Sequence, residues 1–173
     1  MEIGLPGTGP LRLTHNEVVE NISGCLDELI VLTQQFVRIP SVTPPSDTRE
    51  ISQVISDWIG QLDNTNTSLH LGETPIQNLV ATTRGNRPGK RLIFNGHLDT
   101  YPTGPSENWS HHPFSGALED GRVIGRGAAD MKGCVACSII AFKLLSQNPH
   151  LWCGELTLTL VGDEESMGIL GTQ

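Results

Sequence analysis

The chain has 173 residues, of which 37% are hydrophobic and 17% charged, and it contains 19 glycines and 11 prolines. This length and composition favour one globular domain, or part of one, with short elements joined by many turns, and they exclude a disordered tail. Nineteen acidic residues against eleven basic ones give a formal net charge of −8, and the basic residues form no dense cluster, so nucleic acid is not an expected partner.

The N-terminus shows no secretion signal, and no apolar run approaches the ~18 residues that would span a bilayer. We therefore expect a cytoplasmic protein that has no membrane partner. Asn21, Asn66 and Asn108 each begin an Asn-x-Ser pattern. Without a secretion signal, these three patterns are expected to be chance matches.

The four cysteines are few and spread apart, which favours reduced thiols over a disulfide framework. Cys134 and Cys137 have the spacing of redox and zinc motifs, but the chain has no second pair of this kind. Because both lie at the start of an apolar segment, we predict that they are small core residues.

The first half of the chain begins with a turn-rich stretch at residues 1–13, which predicts a loosely ordered lead before a domain that starts at residue 14. Apolar residues at spacings of three and four then predict one amphipathic helix over residues 14–37, which Gly24 weakens without breaking. Asp47, with Glu50 three residues later, predicts the N-cap of a second helix that ends near residue 63.

Strand patterns dominate the middle of the chain, together with a hairpin around Asp120 and Gly121. An apolar segment at residues 131–145 predicts a helix buried nearly all round, and another helix is expected to start near Ser166. Helices that alternate with apolar strands favour an α/β layered domain, in which ligands bind beyond the C-terminal ends of the strands. The strands are predicted at residues 68–71, 78–83, 91–94 and 155–162.

His97 and Asp99 follow the apolar strand at residues 91–94. Residues two apart on an extended strand point the same way, so this pair could act as a metal ligand and the carboxylate that orients it. A surface loop with two polar residues is the alternative.

Carboxylates follow two other apolar or glycine-rich elements, at Asp130 and at the pair Glu164 and Glu165. Imidazole and carboxylates together suit zinc, manganese or cobalt. Adjacent side chains diverge at a strand end, which would give the two glutamates separate jobs: one would bind metal and the other would take a proton from water. The alternatives are a phosphate loop around Asp130 and simple stabilisation of a helix start by the glutamates.

Four motifs in order resemble the M20 metallopeptidase family, which includes aminoacylases, acetylornithine deacetylases, succinyl-diaminopimelate desuccinylases and glutamate carboxypeptidases. The resemblance runs from about residue 29 to the last residue. The motifs are NGHLDT at residues 95–100, NWSHHPFSG at 108–116, DGRVIGRGAADMKG at 120–133 and GDEE at 162–165.

The resemblance implies an α/β three-layer sandwich with a mixed, largely parallel sheet. It implies that His97 binds one metal ion, Asp130 bridges two and Glu165 binds the other, with two Zn2+ per complete site and Co2+ or Mn2+ as substitutes. Asp99 would orient His97, and Glu164 would be the general base that activates water. The implied activity is hydrolysis of an amide bond in N-acylated amino acids or small peptides.

Members of the family also take a carboxylate ligand from beyond the glutamate pair and a histidine from near their C-terminus, and they carry an inserted lid domain. None of these is found in the sequence, so residues 14–173 are expected to form the N-terminal portion of the catalytic domain. The alternative function is a catalytically weak fragment that serves as a binding or regulatory module, and a phosphoesterase is a more distant one. Relatives are often homodimers.

The family often has an acidic residue before Pro-Phe, where this sequence has His112. We expect His111 and His112 to pack the loop and not to bind metal.

Overall fold

The computed structural model describes residues 15–71 and 74–171, so the predicted lead at residues 1–13 lies outside the described part. The first predicted helix is in fact two helices, because the Cys25 N–H donates to the Ile22 carbonyl, three residues back, and so departs from the helical i→i−4 pattern. Glycine is a poor helix former, and here its cost was enough to break the helix. The helices are α1 (His15–Ser23), α2 (Leu26–Arg38), α3 (Arg49–Ile59) and α4 (Gly133–Gln147).

The main sheet has four strands in the order β1-β2-β6-β3. The β1–β2 and β2–β6 pairings are antiparallel, and β3 pairs with β6 in parallel. The predicted α/β fold with a mixed sheet is therefore confirmed, although the largely parallel character does not hold for these strands. The strands are β1 (Thr65–Leu71), β2 (Gln77–Arg84), β3 (Arg87–His97), β4 (Ala117–Glu119), β5 (Arg122–Ile124) and β6 (Cys153–Val161).

A single apolar core fills the space between the sheet and helices α2, α3 and α4. Leu79 pairs with Leu160 and Ala81 with Leu158, so these buried side chains share one face of the sheet. The opposite face carries residues such as Asn95, which is exposed. The described residues thus form two layers, and a third layer is not among them.

Helix α4 was predicted to be buried nearly all round, but Cys134 and Cys137 are exposed. Val135, Ala136 and Ile139, between and beyond them, face the core. The prediction that the two cysteines are core residues was therefore wrong. It failed because residues 133–142 carry no charged side chain, so the apolar pattern did not reveal which face is exposed.

Two short elements outside the main sheet differ in how well they were predicted. The hairpin of β4 and β5 is confirmed, and Asp120 and Gly121 at its tip both have positive φ, as a tight hairpin turn requires. The helix expected near Ser166 is absent from the described residues, where Glu164–Ser166 is a short 3₁₀ turn. Met167 follows in the left-handed conformation with φ 81°, which ends any helical path.

No helix among residues 15–71 and 74–171 is both long enough and apolar enough to cross a membrane.

Substitutions in α4 test its orientation. Ile139→Ala should lower the free energy of unfolding by about 2–5 kcal/mol, because it empties a fully buried position. Cys137→Ala should change it by no more than about 0.5 kcal/mol, because that side chain is exposed. Urea unfolding of both variants measures the difference, and a Cys137→Ala cost as large as that of Ile139→Ala would contradict the orientation of the helix.

Candidate metal centre

His97 stands at the end of β3, and its side chain is 6% exposed. Its Nδ1 lies 3.0 Å from the main-chain oxygen of Asp99, an acceptor, so Nδ1 carries the proton. Its Nε2 lies 3.0 Å from Oδ1 of Asp130 and 3.7 Å from Oε2 of Glu164. The imidazole therefore presents Nε2 to a group of carboxylates.

Asp130 reaches His97 from an irregular turn, residues 128–132, which leads into α4. The turn begins after Gly127, which has φ 80° and packs against Thr100, where a Cβ atom would come within 2.5 Å of Thr100 Cγ2. Glycine is therefore needed for this close approach. The last residue of the turn, Lys132, is fully buried, and its ammonium group holds the turn in place by donating a 2.6 Å hydrogen bond to the carbonyl of Ile39.

Glu164 and Glu165 lie in the 3₁₀ turn that follows β6. The side chain of Glu164 is 57% exposed, and Oε1 of Glu165 accepts the main-chain N–H of Tyr101 at 3.2 Å. The sequence predicts that these adjacent side chains diverge, as they would on a strand. Because they lie in a 3₁₀ turn instead, both carboxylates come close to His97.

His97, Asp130 and Glu165 each offer one ligand atom, and these atoms lie within 4.8 Å of one another. One imidazole nitrogen and carboxylate oxygens at such distances form a donor set that fits a divalent ion such as zinc. Of the residues predicted from sequence, the structure thus brings His97, Asp130, Glu164 and Glu165 together. Their roles as ligands and base stay predictions.

Asp99 is fully buried, and its carboxylate lies next to the imidazole of His97, on the side of Nδ1. Its carboxylate accepts a 2.7 Å hydrogen bond from the Thr43 hydroxyl and the main-chain N–H groups of Glu164 and Glu165, at 3.2 and 3.1 Å. Its Oδ1 is 3.5 Å from His97 Nδ1, farther than its own main-chain oxygen. Asp99 therefore contacts His97 mainly through the carbonyl, while its carboxylate holds the turn of the two glutamates. Sequence reasoning missed Thr43, whose contact with Asp99 joins residues far apart in the chain.

His111 and His112 lie outside this group. The Nδ1 of His112 accepts the N–H of Phe114 at 3.2 Å, and Nδ1 of His111 lies 3.2 Å from the hydroxyl of Ser110. Nearby, the Arg126 guanidinium lies 5.2 Å from the centre of the Trp109 ring. The contacts of both histidines are thus local ones within the loop.

Burial and neighbouring charges shift the pKa values of three groups in the centre: His97, Asp99 and Lys132. Burial alone would lower the pKa of His97, but its contacts with Asp99 and Asp130 raise that pKa to about 9. Burial opposes the charge of Asp99, yet the nearby His97 imidazole and hydrogen bonds from the Thr43 hydroxyl and the Glu165 N–H lower its pKa overall. Burial lowers the pKa of Lys132 to about 8, although Asp99 and Glu50 oppose this shift. Without metal, the centre thus holds an imidazolium against a carboxylate.

This arrangement predicts a pH dependence for the metal-free chain. Folding raises the pKa of His97 from 6.5 to about 9, so its contribution to stability is complete below about pH 6.5 and is lost as the pH rises through 9. The stability advantage of the native chain over His97→Asn should fall by on the order of 2 kcal/mol over this range, because each pKa unit corresponds to about 1.4 kcal/mol and solvent weakens part of it. Lys132 follows the opposite trend but is present in both proteins, so it cancels.

Urea unfolding in the presence of a chelator, at about pH 6 and about pH 9.5, measures this difference. An advantage that is the same at both pH values would contradict the raised pKa of His97.

The chain is similar in sequence to known peptidases and desuccinylases. The family model described as peptidase family M20/M25/M40 matches residues 93–173. A succinyl-diaminopimelate desuccinylase of Variovorax paradoxus is 36% identical over 154 residues, which is 85% of this chain and 38% of that enzyme. The chain thus spans about 38% of the length of the curated relatives it matches.

Solved structures share the fold. An M20 family metallo-carboxypeptidase from Sulfolobus solfataricus superposes with a TM-score of 0.72 at 24% identity, over 83% of this chain and 32% of that one. A dinuclear metal binding peptidase of the M20 family from Bacillus subtilis gives a TM-score of 0.54 at 15% identity, over 82% of this chain and 36% of that one. The segment matched by the family model holds His97, Asp130 and Glu165, and this model together with the desuccinylase relatives shows that the chain belongs to the M20 peptidase family.

Proposed function

We propose that this chain contributes the metal centre of a hydrolase that cleaves the amide bond of an N-acylated amino acid or a small peptide. The observation that carries the proposal is the convergence of His97, Asp130 and Glu165 at the ends of separate elements, with ligand atoms within 4.8 Å of one another. Membership of the M20 peptidase family supports the same class of reaction.

The metal would be held by His97 through its Nε2, by Asp130 and by Glu165. We propose that Asp130 would contribute to both ions of a dinuclear site, as the family resemblance implies. A divalent ion bound there would supply Lewis-acid polarisation of the substrate carbonyl and of the attacking water. Zinc is the ion that we propose first, because imidazole nitrogen and carboxylate oxygen are common zinc ligands, while cobalt and manganese suit the same donors. The structural neighbour from Bacillus subtilis is a dinuclear metal binding peptidase, which supports two ions in the complete site.

Glu164 is the residue that we assign as general base. Its Oε2 lies 3.7 Å from His97 Nε2, beside the ligand atoms, and its side chain is open to solvent. It can therefore take a proton from a water molecule that enters the centre and return that proton to the leaving amine. Asp99 does not reach the solvent, so we assign it a positioning role.

The substrate class follows from the relatives and is part of the proposal. The curated relatives carry the name succinyl-diaminopimelate desuccinylase, so an N-succinyl amino acid is the first substrate to test, followed by N-acetyl amino acids and dipeptides. Zinc binding with little turnover is a second candidate. It is favoured by the 79% exposure of the Asp130 side chain, which leaves that ligand poorly shielded from water.

Substitutions separate the metal ligands from the base. Glu164→Gln should lower turnover of an N-succinyl amino acid by at least about a hundredfold, the usual scale for loss of a general base, while zinc content stays nearly unchanged. His97→Ala and Asp130→Ala should lower zinc affinity at least tenfold, because each removes a ligand. Turnover with amine release and zinc content by elemental analysis are the measurements.

Glu119→Gln, which changes an exposed acid in the β4–β5 hairpin, is the matched control and should retain both properties. Full turnover by Glu164→Gln would contradict the base assignment. Zinc binding by the native chain without amide cleavage would support the second candidate, and phosphate release from aryl phosphates without amide cleavage would contradict the proposed reaction.

A further inference from the structure

We infer that Thr43 is a positioning residue of the metal centre, which acts through Asp99 to fix the turn that carries Glu164 and Glu165. The inference rests on the proposed function where it treats these two glutamates as site residues. The contacts themselves exist in the chain without metal.

Thr43 lies in the connector between α2 and α3, which runs alongside the residues that follow β3. The main-chain N–H of Thr43 donates to the carbonyl of Thr100, and the N–H of Thr100 donates to the carbonyl of Ser41, each at 2.9 Å. The hydroxyl of Ser41 also donates to the carbonyl of Leu98 at 2.6 Å. Hydrogen bonds to Leu98 and Thr100, the residues on either side of Asp99, therefore fix the position of Thr43 along the chain beside the Asp99 carboxylate.

The direction of the hydrogen bonds around Thr43 can be assigned. An ionised carboxylate only accepts hydrogen bonds, so the single hydroxyl proton of Thr43 goes to Asp99 Oδ2, at 2.7 Å. The hydroxyl of Ser46, which also contacts the Thr43 hydroxyl, must then be the donor in that contact. Thr43 and Ser46 are both buried, so water does not replace these partners readily. The result is a buried relay from Ser46 through Thr43 to Asp99.

This relay fixes the rotation of the Asp99 carboxylate. Oδ2 accepts from Thr43 and from the N–H of Glu165, whereas Oδ1 accepts from the N–H of Glu164. The Thr43 hydroxyl is the only side-chain hydroxyl among these donors, and without it Oδ1 could turn toward the His97 Nδ1, now 3.5 Å away. A rotated carboxylate would no longer meet both amides, so Glu164 and Glu165 would lose their fixed position.

The test compares variants that keep or remove the hydroxyl. Thr43→Val keeps the shape and removes the donor, and Thr43→Ser keeps the donor. Thr83→Val is the matched control, because Thr83 is also buried but pairs with Leu156, five residues before the end of β6 that leads to the centre. If Thr43→Val does not fold, Thr43→Cys, with a weaker donor of similar size, takes its place.

The first measurement is amide hydrogen exchange in the metal-free chain. Thr43→Val should speed exchange at Glu164 and Glu165 about tenfold, because their acceptor moves, whereas Thr43→Ser should stay within about threefold of the native rate. Unchanged exchange in Thr43→Val would overturn the inference. Equal acceleration in Thr43→Ser or in Thr83→Val would also overturn it, because the effect would then come from packing or general destabilisation.

The second measurement is zinc affinity by competition with a chromophoric chelator. Thr43→Val should bind zinc about tenfold more weakly and Thr43→Ser nearly as the native chain does, the range seen when partners of metal ligands are removed. Zinc affinity that is equal in the native chain and in His97→Ala would refute the proposed function, while the exchange result would still decide the role of Thr43. His97-dependent zinc binding that Thr43→Val leaves intact would overturn the positioning role.

Discussion

The buried carboxylate of Asp99 joins three segments that are distant in sequence. Thr43 comes from the connector after α2, and Glu164 and Glu165 come from the turn after β6, and all three donate to its two oxygens. A buried carboxylate is costly unless several donors satisfy it, so these segments must pack together for the fold to bury it. The same constraint sets the position of the glutamates relative to His97, two residues earlier on the strand.

The sheet topology makes this arrangement possible. β3 and β6 are adjacent and parallel, so His97 pairs with Val161 and the two strands release their following residues at one edge. Asp130 arrives at the same edge from the turn before α4, which glycine allows to approach Thr100 closely. Local backbone geometry thus places an imidazole and three carboxylates together, and their mutual repulsion is relieved by the proton on His97 or, in the proposed enzyme, by metal.

Sequence patterns predicted most of the strands and the residues that converge after them, and each prediction that failed has a physical cause. The positions of His97, Asp99 and the two glutamates after apolar strands suggested which side chains could converge, and the four M20 motifs supplied the full set with Asp130. The contact of the Asp99 carbonyl with His97 and the role of Thr43 could not be predicted, because main-chain acceptors and hydroxyls carry no pattern in a single sequence. The predicted helix is interrupted after Gly24, a poor helix former, where the Cys25 N–H donates to the Ile22 carbonyl, three residues back instead of four. The exposure of Cys134 and Cys137 depended on which side of α4 meets the sheet, which apolar composition alone does not fix.

The central claim is that His97, Asp130 and Glu165 bind metal while Asp99 holds the centre in place. Zinc K-edge X-ray absorption of the zinc-loaded chain, compared with His97→Ala, tests it most directly. We predict a first shell of nitrogen and oxygen at about 2.0–2.2 Å, with an imidazole signature that disappears in His97→Ala. Sulfur at about 2.3 Å, which would indicate binding by the exposed Cys134 and Cys137, or a first shell that His97→Ala leaves unchanged, would contradict the account.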